Sequence, residues 1–264
     1  RVLIISKLEK PSAIVELEDI IKLSDGIMVA RGDLGVECPL QTVPVLQKKI
    51  VNACRKYARP VIVATQMLES MIEKPTPTRA EVSDVATAVY DGADAVMLSA
   101  ETAAGKYPVE AVKMMNKIIT QVEADPLFFQ YMKNLQSVSC CMGEADSITY
   151  AASEISKVLK NVKAVVTYTS SGRTTFLVSR ERPDIPIVAV TPNIKVARQL
   201  GLVWGARRFI NESTFQSFDR FEDVAKTVAL ASGAANKGDH IIITGGFPPG
   251  VKGRTNMLHT VYID

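Results

Sequence analysis

The sequence is poor in the residues that build metal–thiolate sites, disulfide frameworks and nucleic-acid platforms. Its 264 residues include 2 histidines and 4 cysteines, and no two cysteines form a CxxC pair. This disfavours a structural zinc site and a disulfide scaffold, and indicates reduced thiols in a cytoplasmic protein. Aromatic residues make up only 6% and the net charge is only +3. These scarcities argue against a nucleic-acid partner.

Long apolar runs are also missing. No run approaches the roughly 20 residues that a membrane-spanning helix needs, and no signal-peptide pattern is present, so we expect no membrane partner. An apolar fraction of 47% and a charged fraction of 22% are typical of an ordinary globular protein. The chain opens with RVLIISKLEK, a strongly apolar strand pattern with no leader sequence before it. This opening favours a fragment of a longer protein.

The first part of the chain repeats a strand followed by a helix. The predicted strands are Val2–Ser6, Ile27–Ala30, Val61–Thr65 and Ala95–Leu98. Helical patterns follow at 12–23, 43–59, 79–91 and 109–123. Strands that recur every roughly 25–35 residues with helices between them predict parallel βαβ units.

A second α/β series follows a change of character at residues 125–144, which are predicted to form a connector with a helical piece. Its predicted strands are 164–168, 187–191, 208–210, 240–244 and 257–263. Its predicted helices are 145–159, 174–182, 194–200 and 218–235. The pattern indicates a five-stranded open α/β sheet covered on both faces. The predicted domains are therefore 1–124 and 145–264, joined by the connector 125–144.

Polar residues follow each predicted strand of the first series. The four strand ends read Ser6-Lys7-Leu8-Glu9, Arg31-Gly32-Asp33, Thr65-Gln66 and Ser99-Ala100-Glu101-Thr102. Ligands of βα barrels and open α/β sheets bind at the carboxyl ends of the strands. The stretch GIMVARGDLGVE, in which a buried strand meets an arginine and an aspartate, therefore predicts part of a binding site.

Two carboxylates, Glu9 and Asp33, lie on successive strand ends. Oxygen ligands without histidine or cysteine suit Mg²⁺ or Mn²⁺ shared with an anionic substrate and water. The alternative is a solvated or salt-bridged pair that includes Lys7. A lysine beside a divalent metal suits phosphoryl or enolate charge. The turn at Gly32 offers backbone N–H groups that an anion can approach closely.

Several long motifs carry a family resemblance. ISKLEK, GIMVARGDLGVE, PVIVATQMLESMIEKPTPTRAEVSDVA and DGADAVMLSAETAAGKYPVEAV follow one another, and the likeness continues to the end of the chain. Together they resemble the second half of pyruvate kinase. The resemblance implies the second half of a (β/α)8 TIM barrel, strands five to eight, followed by a five-stranded open α/β C-terminal domain.

The resemblance also implies roles for the charged residues. Glu9 and Asp33 match the carboxylates that hold the catalytic Mg²⁺ or Mn²⁺. Lys7 matches the lysine that stabilises charge on the transferring phosphoryl group and the enolate. The implied reaction passes the phosphoryl group of phosphoenolpyruvate to ADP, giving pyruvate and ATP. Potassium is a further expected cation of the family, with its ligands outside this chain.

Further roles follow from the same resemblance. The carboxylate of phosphoenolpyruvate or pyruvate is expected against the backbone of Ala30, Arg31, Gly32 and Asp33. Thr65 matches the threonine near the enolate carbon, which belongs with water and Ser99 to a proton-delivery network. Arg79, in PTRAE, matches an arginine near a subunit interface that helps to organise the site. A homotetramer is the expected assembly of the full-length protein.

A loop in the second series is the predicted effector site. It comprises Thr169, Ser170, Ser171, Gly172, Arg173 and Thr174. Hydroxyls, a glycine and helix N-terminal amides suit a phosphate, although a plain helix N-cap explains the same residues. The loop has Ser170 where members that respond to fructose 1,6-bisphosphate often have lysine. We therefore expect a nucleoside or sugar monophosphate, with Lys252 and Arg254 as further contacts.

The predicted half barrel lacks strands one to four and the lid domain of the family. We therefore expect the chain to be inactive alone. A non-catalytic module that binds a phosphorylated effector and mediates oligomer contacts is the alternative from another functional class. A Mg²⁺-dependent phosphoenolpyruvate or pyruvate lyase barrel is a further alternative among enzymes. Effector binding without turnover would distinguish the module from a working kinase.

Overall fold

Short β-branched runs form the strands of two separate sheets. The computed structural model of the chain describes residues 2–135, 143–210, 218–248 and 254–264. The chain divides into two units, Arg1–Val138 and Ser139–Asp264. Lys252, a predicted contact of the effector, and the neighbouring cysteines Cys140 and Cys141 lie outside the described residues.

The first unit contains, among its described residues, a four-stranded parallel sheet. Its strands are β1 (Ile5–Leu8), β2 (Gly26–Ala30), β3 (Val61–Ala64) and β4 (Ala95–Met97), in the order β1-β2-β3-β4. Ile5 pairs with Gly26, Ile27 with Val61, and Ile62 with Ala95. Parallel pairing brings all four carboxyl ends to one edge, as predicted from the βαβ pattern.

Helices connect the strands of this sheet and follow the last of them. They are α1 (Pro11–Val15), α2 (Leu17–Leu23), α3 (Arg31–Glu37), α4 (Val43–Lys56), α5 (Arg79–Tyr90), α6 (Ala100–Ala103), α7 (Pro108–Glu123) and α8 (Pro126–Leu135). The helix α4 contacts β2 and β3 and buries Ile50, Val51 and Cys54. The helix α5 begins with a capping box, in which Thr78 and Glu81 satisfy each other's backbone N–H groups.

The first strand differs from its prediction. The sequence predicts Val2–Ser6, whereas β1 spans Ile5–Leu8 because it pairs with Gly26–Val29. The N–H of Ile4 instead donates to Asp25 Oδ2 at 2.9 Å. The shift places Lys7 within the strand and Glu9 just after it.

The predicted helix 12–23 is interrupted. Glu16 has φ −92° and ψ +22°, which separates α1 from α2. The break leaves Val15 exposed while Leu17 and Ile21 are buried. The predicted ends, 12 and 23, lie within one residue of the start of α1 and the end of α2. The helical spacing did not predict the break at Glu16 between them.

The second unit contains a mixed five-stranded sheet among its described residues. Its strands are β5 (Val162–Tyr168), β6 (Ile187–Thr191), β7 (Ala206–Ile210), β8 (His240–Gly245) and β9 (Met257–Tyr262), in the order β7-β6-β5-β8-β9. Only the pair β8–β9 is antiparallel among the described pairs.

Helices lie on both faces of this sheet, as the sequence predicts. They are α9 (Glu144–Val158), α10 (Arg173–Arg180), α11 (Ile194–Gln199) and α12 (Phe218–Ala231). Phe221 and Ala225 of α12 pack with Val166 and Ile243 in one apolar cluster. Ala152 of α9 and Val178 of α10 pack in the cluster on the opposite face, together with other residues of β5 and β8.

The last of these helices ends earlier than predicted. The sequence predicts 218–235, whereas α12 ends at Ala231. Gly233 has φ +64°, and the N–H of Ala234 donates to Ala229 O at 3.1 Å. A left-handed glycine with this bond is the usual way to end a helix.

In the described part of the chain, no helix combines the length and apolar character needed to cross a membrane. Cys38 and Cys54 are free thiols, and burial raises the pKa of the Cys54 thiol. Cys54 is therefore a core residue and not a reactive one.

Candidate active site

The lysine of β1 lies between two carboxylates at the carboxyl edge of the first sheet. Lys7 Nζ is 2.9 Å from Glu9 Oε2 and 3.3 Å from Asp33 Oδ2. The Glu9 and Asp33 carboxylates raise the pKa of the Lys7 ammonium above its ordinary value, Glu9 more strongly. All three side chains remain open to solvent, with exposed fractions of 52%, 37% and 58% for Lys7, Glu9 and Asp33.

This arrangement is the salt-bridged alternative drawn from the sequence, yet it also suits a metal. Both carboxylates converge on one positive charge, and carboxylate oxygens are the ligands that Mg²⁺ and Mn²⁺ prefer. Among the described residues, no group of three His, Cys, Asp or Glu side chains is placed to hold a metal. A divalent ion here would therefore need oxygen ligands from a substrate and water.

Thr65 joins the ends of the second and third strands. Its Oγ1 accepts a hydrogen bond from the N–H of Gly32 at 2.8 Å and donates to Ala64 O at 2.6 Å. A Cβ added at Gly32 would lie 3.5 Å from Thr65 Oγ1, an ordinary van der Waals contact, so this hydrogen bond does not by itself require glycine. The Gly32 N–H, which the sequence predicted to be available to an anion, is bonded to Thr65 here.

The Arg31 side chain points into the protein. Its guanidinium donates to Thr65 O at 2.7 Å and to Asp84 Oδ1 at 2.6 Å. The side chain is only 10% exposed. The backbone of Arg31, and not its side chain, therefore remains available for contact with a substrate. Sequence reasoning missed the partner Asp84, which lies 53 residues away and gave no local signal.

Ser99 follows β4. This strand pairs with β3, the strand that leads to Thr65. Within the described residues, no hydrogen bond joins the two hydroxyls. Instead the N–H of Ser99 donates to Glu101 Oε2 at 2.7 Å, and the N–H of Leu68 donates to Glu101 Oε1 at 3.1 Å. Glu101 is 2% exposed and had no predicted role, although its place on a polar strand end was a signal. Glu101 thus connects the turn after β3, through Leu68, to the turn after β4, through Ser99.

Arg79 is the first residue of α5. Its side chain is exposed, and the structure describes no hydrogen bond or ion pair for it within the chain. Lys7, Glu9, Asp33 and Thr65 belong to neighbouring strand ends, and Arg79 faces solvent.

The predicted effector loop is a strand-to-helix turn in the second unit. Gly172, at the start of α10, has φ +89°, and its N–H donates to Thr169 Oγ1 at 2.8 Å. Ser170, Ser171 and Arg173 are exposed. The hydroxyl of Thr169 thus acts within the loop, and the exposed residues remain for a ligand.

A second segment adjoins this loop. Thr174 Oγ1 and Thr255 Oγ1 lie 2.8 Å apart, and both residues are buried. Arg254, the residue before Thr255, is exposed. The Thr174–Thr255 contact therefore places Arg254 near the loop. The sequence predicted Arg254 as a second residue that touches the effector.

Comparisons with known proteins match the whole chain to one family. Residues 1–112 match the profile of the pyruvate kinase barrel domain, and residues 146–261 match that of the pyruvate kinase alpha/beta domain. A pyruvate kinase of Methylorubrum extorquens is 46% identical over 263 residues, which are 100% of this chain and 54% of that protein. One of Agrobacterium vitis is 48% identical over 255 residues, 97% of this chain and 53% of that protein.

A solved structure agrees. A pyruvate kinase from Cryptosporidium parvum superimposes with a TM-score of 0.90 at 36% identity, over 99% of this chain and 52% of that one. The chain spans about half the length of the curated relatives it matches. Because both domain profiles and relatives that align along the whole chain agree, this chain belongs to the pyruvate kinase family, a family of phosphotransferases.

Proposed function

We propose that the chain is the C-terminal half of a pyruvate kinase that transfers a phosphoryl group from phosphoenolpyruvate to ADP. The observation that carries this proposal is the convergence of Glu9 and Asp33 on Lys7 at the carboxyl edge of a parallel sheet. Phosphoryl transfer depends mainly on positioning and charge neutralisation. One lysine and two carboxylates at a strand edge are suited to both.

We further propose that the first unit is half of a (β/α)8 barrel and is inactive alone. Val2, Ile4 and Ile5, at the free edge of the sheet, are 86%, 63% and 38% exposed. Exposed apolar residues on an unpaired strand edge favour pairing with further strands. The proposed domains are the half barrel 1–124, the connector 125–144 and the effector-binding and assembly domain 145–264.

Glu9 and Asp33 would hold Mg²⁺ or Mn²⁺ together with oxygens of the substrate and water. The ion neutralises charge on the phosphoryl group and the enolate when it is bound. The family is generally dependent on Mg²⁺ and K⁺, and we place the K⁺ ligands outside this chain. The Lys7 ammonium, held beside both carboxylates, would stabilise charge on the transferring group.

The other site residues would seat the substrate and deliver a proton. The backbone of Ala30–Asp33 would face the carboxylate of phosphoenolpyruvate, and the Gly32 N–H would exchange its bond to Thr65 for one to that anion. The hydroxyl of Thr65, released from Gly32, would then act with water and Ser99 in protonating the enolate. Arg79, exposed in one chain, would act at a subunit interface of a homotetramer.

A regulatory module is the second candidate for the chain by itself. The Thr169–Thr174 loop presents Ser170, Ser171 and Arg173 to solvent at the start of an eight-residue helix. Arg254 lies beside it through the Thr174–Thr255 contact. Hydroxyls, an arginine and helix N-terminal amides suit a phosphorylated effector such as a nucleoside or sugar monophosphate.

Pyruvate formation from phosphoenolpyruvate and ADP, with Mg²⁺ and K⁺, tests the proposal. The chain is assayed alone and fused behind the N-terminal part of the Agrobacterium vitis relative that it does not match. We expect turnover only from the fusion, and we expect Asp33→Asn to abolish it. Glu37→Gln, which removes an exposed carboxylate from the other end of the same helix, is the matched control and should keep full activity.

Other outcomes are equally informative. Turnover by the chain alone would overturn its inactivity, and a fusion that folds without turnover would overturn the kinase proposal. Release of pyruvate from a 4-hydroxy-2-oxo acid by C–C cleavage, with the aldehyde as the other product and without phosphoenolpyruvate or ADP, would support the lyase. Binding of AMP or glucose 6-phosphate by an inactive chain, lost on Arg173→Met, would support the regulatory module.

A further inference from the structure

The turn after β3 has an unusual backbone. Thr65 has φ +70° and Gln66 has φ +53°. Left-handed backbone is rare for residues other than glycine, and a β-branched residue such as threonine is among the least suited to it. Two such residues in a row persist only where surrounding contacts hold them.

The Arg31 guanidinium supplies those contacts. It donates to three successive carbonyl groups, Thr65 O at 2.7 Å, Ala64 O at 3.3 Å and Gln66 O at 3.5 Å. These carbonyls belong to the left-handed turn and to the residue before it. The planar fork of five N–H donors lets one arginine contact all of them, whereas a lysine carries its three donors on a single nitrogen and cannot span the same set.

The guanidinium is itself held on its other side. Asp84 Oδ1 accepts from Arg31 Nη1 at 2.6 Å, and Gln47 Oε1 accepts from the same nitrogen at 3.3 Å. Gln47 is oriented in turn by its bond to Asp91 Oδ2 at 2.9 Å. Two helices, α4 and α5, thereby fix the orientation of an arginine that begins α3.

The contacts between the two turns run in both directions. Arg31 reaches across to the carbonyls of the Thr65 turn, and Thr65 Oγ1 accepts the N–H of Gly32, the residue after Arg31. Each turn therefore fixes the position of the other, and the hydroxyl of Thr65 is aimed by the arginine that holds its backbone.

We propose that the Arg31 side chain, held by Asp84, is a positioning residue that sets the left-handed Thr65 turn and so aims the Thr65 hydroxyl at the substrate seat. The side chain acts through Thr65 and touches no substrate. The inference rests on the proposed function for its catalytic consequence, but not for the geometry of the two turns.

Hydrogen exchange of the Gly32 amide tests the geometry without any turnover. In the chain as it is, NMR should show this amide protected by Thr65. Arg31→Lys should speed its exchange by about tenfold, the loss of one hydrogen bond, while amides of β2 and β3 keep their protection. Asp84→Asn should give a smaller acceleration. Glu73→Gln, which removes an exposed ion pair with Lys106 in the same unit, is the matched control and should change nothing.

Kinetics of the active fusion test the consequence. Arg31→Lys should lower kcat for pyruvate formation by about ten- to a hundredfold, as expected when a catalytic group is misplaced. The exchange of pyruvate methyl protons with D₂O should fall in parallel, and KM for phosphoenolpyruvate should change much less. A merely structural role would lower the unfolding midpoint and leave the kcat of the folded enzyme unchanged.

The outcomes separate the two proposals. Unchanged Gly32 exchange in both Arg31→Lys and Asp84→Asn overturns this inference, whether or not the fusion is active. Faster exchange in an inactive fusion supports the positioning geometry and counts against the kinase proposal. If Arg31→Lys fails to fold, the folded Asp84→Asn decides the matter by the same two measurements.

Discussion

The strand-to-helix turns after β2 in the first unit and after β5 in the second differ in where their polar side chains point. The turn after β2 places the exposed carboxylate of Asp33 beside the exposed ammonium of Lys7, a residue of the neighbouring strand β1. The turn after β5 places hydroxyls inward, with Thr169 bonded to Gly172 and Thr174 bonded to Thr255. The first turn is therefore suited to a charged reaction centre, and the second to a rigid frame that presents a few exposed groups.

The sheets behind these turns differ as well. The edge strand β1 and the residues before it leave Val2, Ile4 and Ile5 exposed, whereas the edge strand β9 of the second sheet buries Met257 and Val261. A sheet with an exposed apolar edge relies on further strands for its stability, whereas the second unit buries its own core on both faces.

The largest effect is expected from Lys7→Met in the active fusion. Removing the ammonium should lower kcat by about 10²–10³-fold, the usual cost of losing one group that stabilises developing charge. Lys10→Met, which removes an exposed lysine just after β1, is the matched control and should retain activity within about twofold. Steady-state assays of pyruvate formation measure both variants. Equal activity of the two would mean that the Lys7, Glu9 and Asp33 group is not the reaction centre.

Next in size is Thr174→Val in the second unit. The change leaves the buried Thr255 hydroxyl without its partner and should cost about 1–3 kcal/mol of unfolding free energy. The double variant Thr174→Val with Thr255→Val should cost less than the sum of the single changes. The only tryptophan of the sequence, Trp204, belongs to the second unit, so its fluorescence in urea measures this cost. Additive costs would contradict an internal frame of hydroxyls.

Thr78→Ala should affect only the first unit. The change removes the side-chain half of the α5 capping box and should cost about 1 kcal/mol. Circular dichroism in urea should show a lower midpoint for part of the signal, while the Trp204 fluorescence midpoint stays where it was. A shift of the fluorescence midpoint would show that the two units unfold together.

The smallest effect concerns the pKa of Lys7. Glu9 and then Asp33 raise this pKa above its ordinary value of 10.5, so Glu9→Gln should lower it more than Asp33→Asn does. The ion pairs therefore stabilise the fold below that ordinary value and lose their effect as the pH rises through the raised pKa. Side-chain NMR titration of Lys7 measures the order. The reverse order would mean that Asp33 is the main partner of the ammonium.

Much of the architecture could be predicted from the sequence because its signals are local. β-branched runs predicted the strands, and helical spacing predicted most helices. The βαβ order predicted that Lys7, Glu9, Asp33 and Thr65 would share an edge, since parallel strands bring their carboxyl ends together. The long motifs predicted the family. The shifted start of β1 was beyond these signals, because its pairing partner decides it, whereas the early end of α12 was marked in the sequence by Gly233, a signal that the helical spacing overrode.

Only the tertiary structure decided how the site residues bond to each other. Arg31 lies 53 residues from Asp84, and Thr174 lies 81 residues from Thr255, so no local pattern marks either pair. The sequence by itself determined which residue types arrive at the edge of each sheet. The packing of helices against the strands decided which side chains turn inward to hold the turns and which remain exposed. Side-chain orientation follows from burial and long-range hydrogen bonds, and these exist only once the chain is folded.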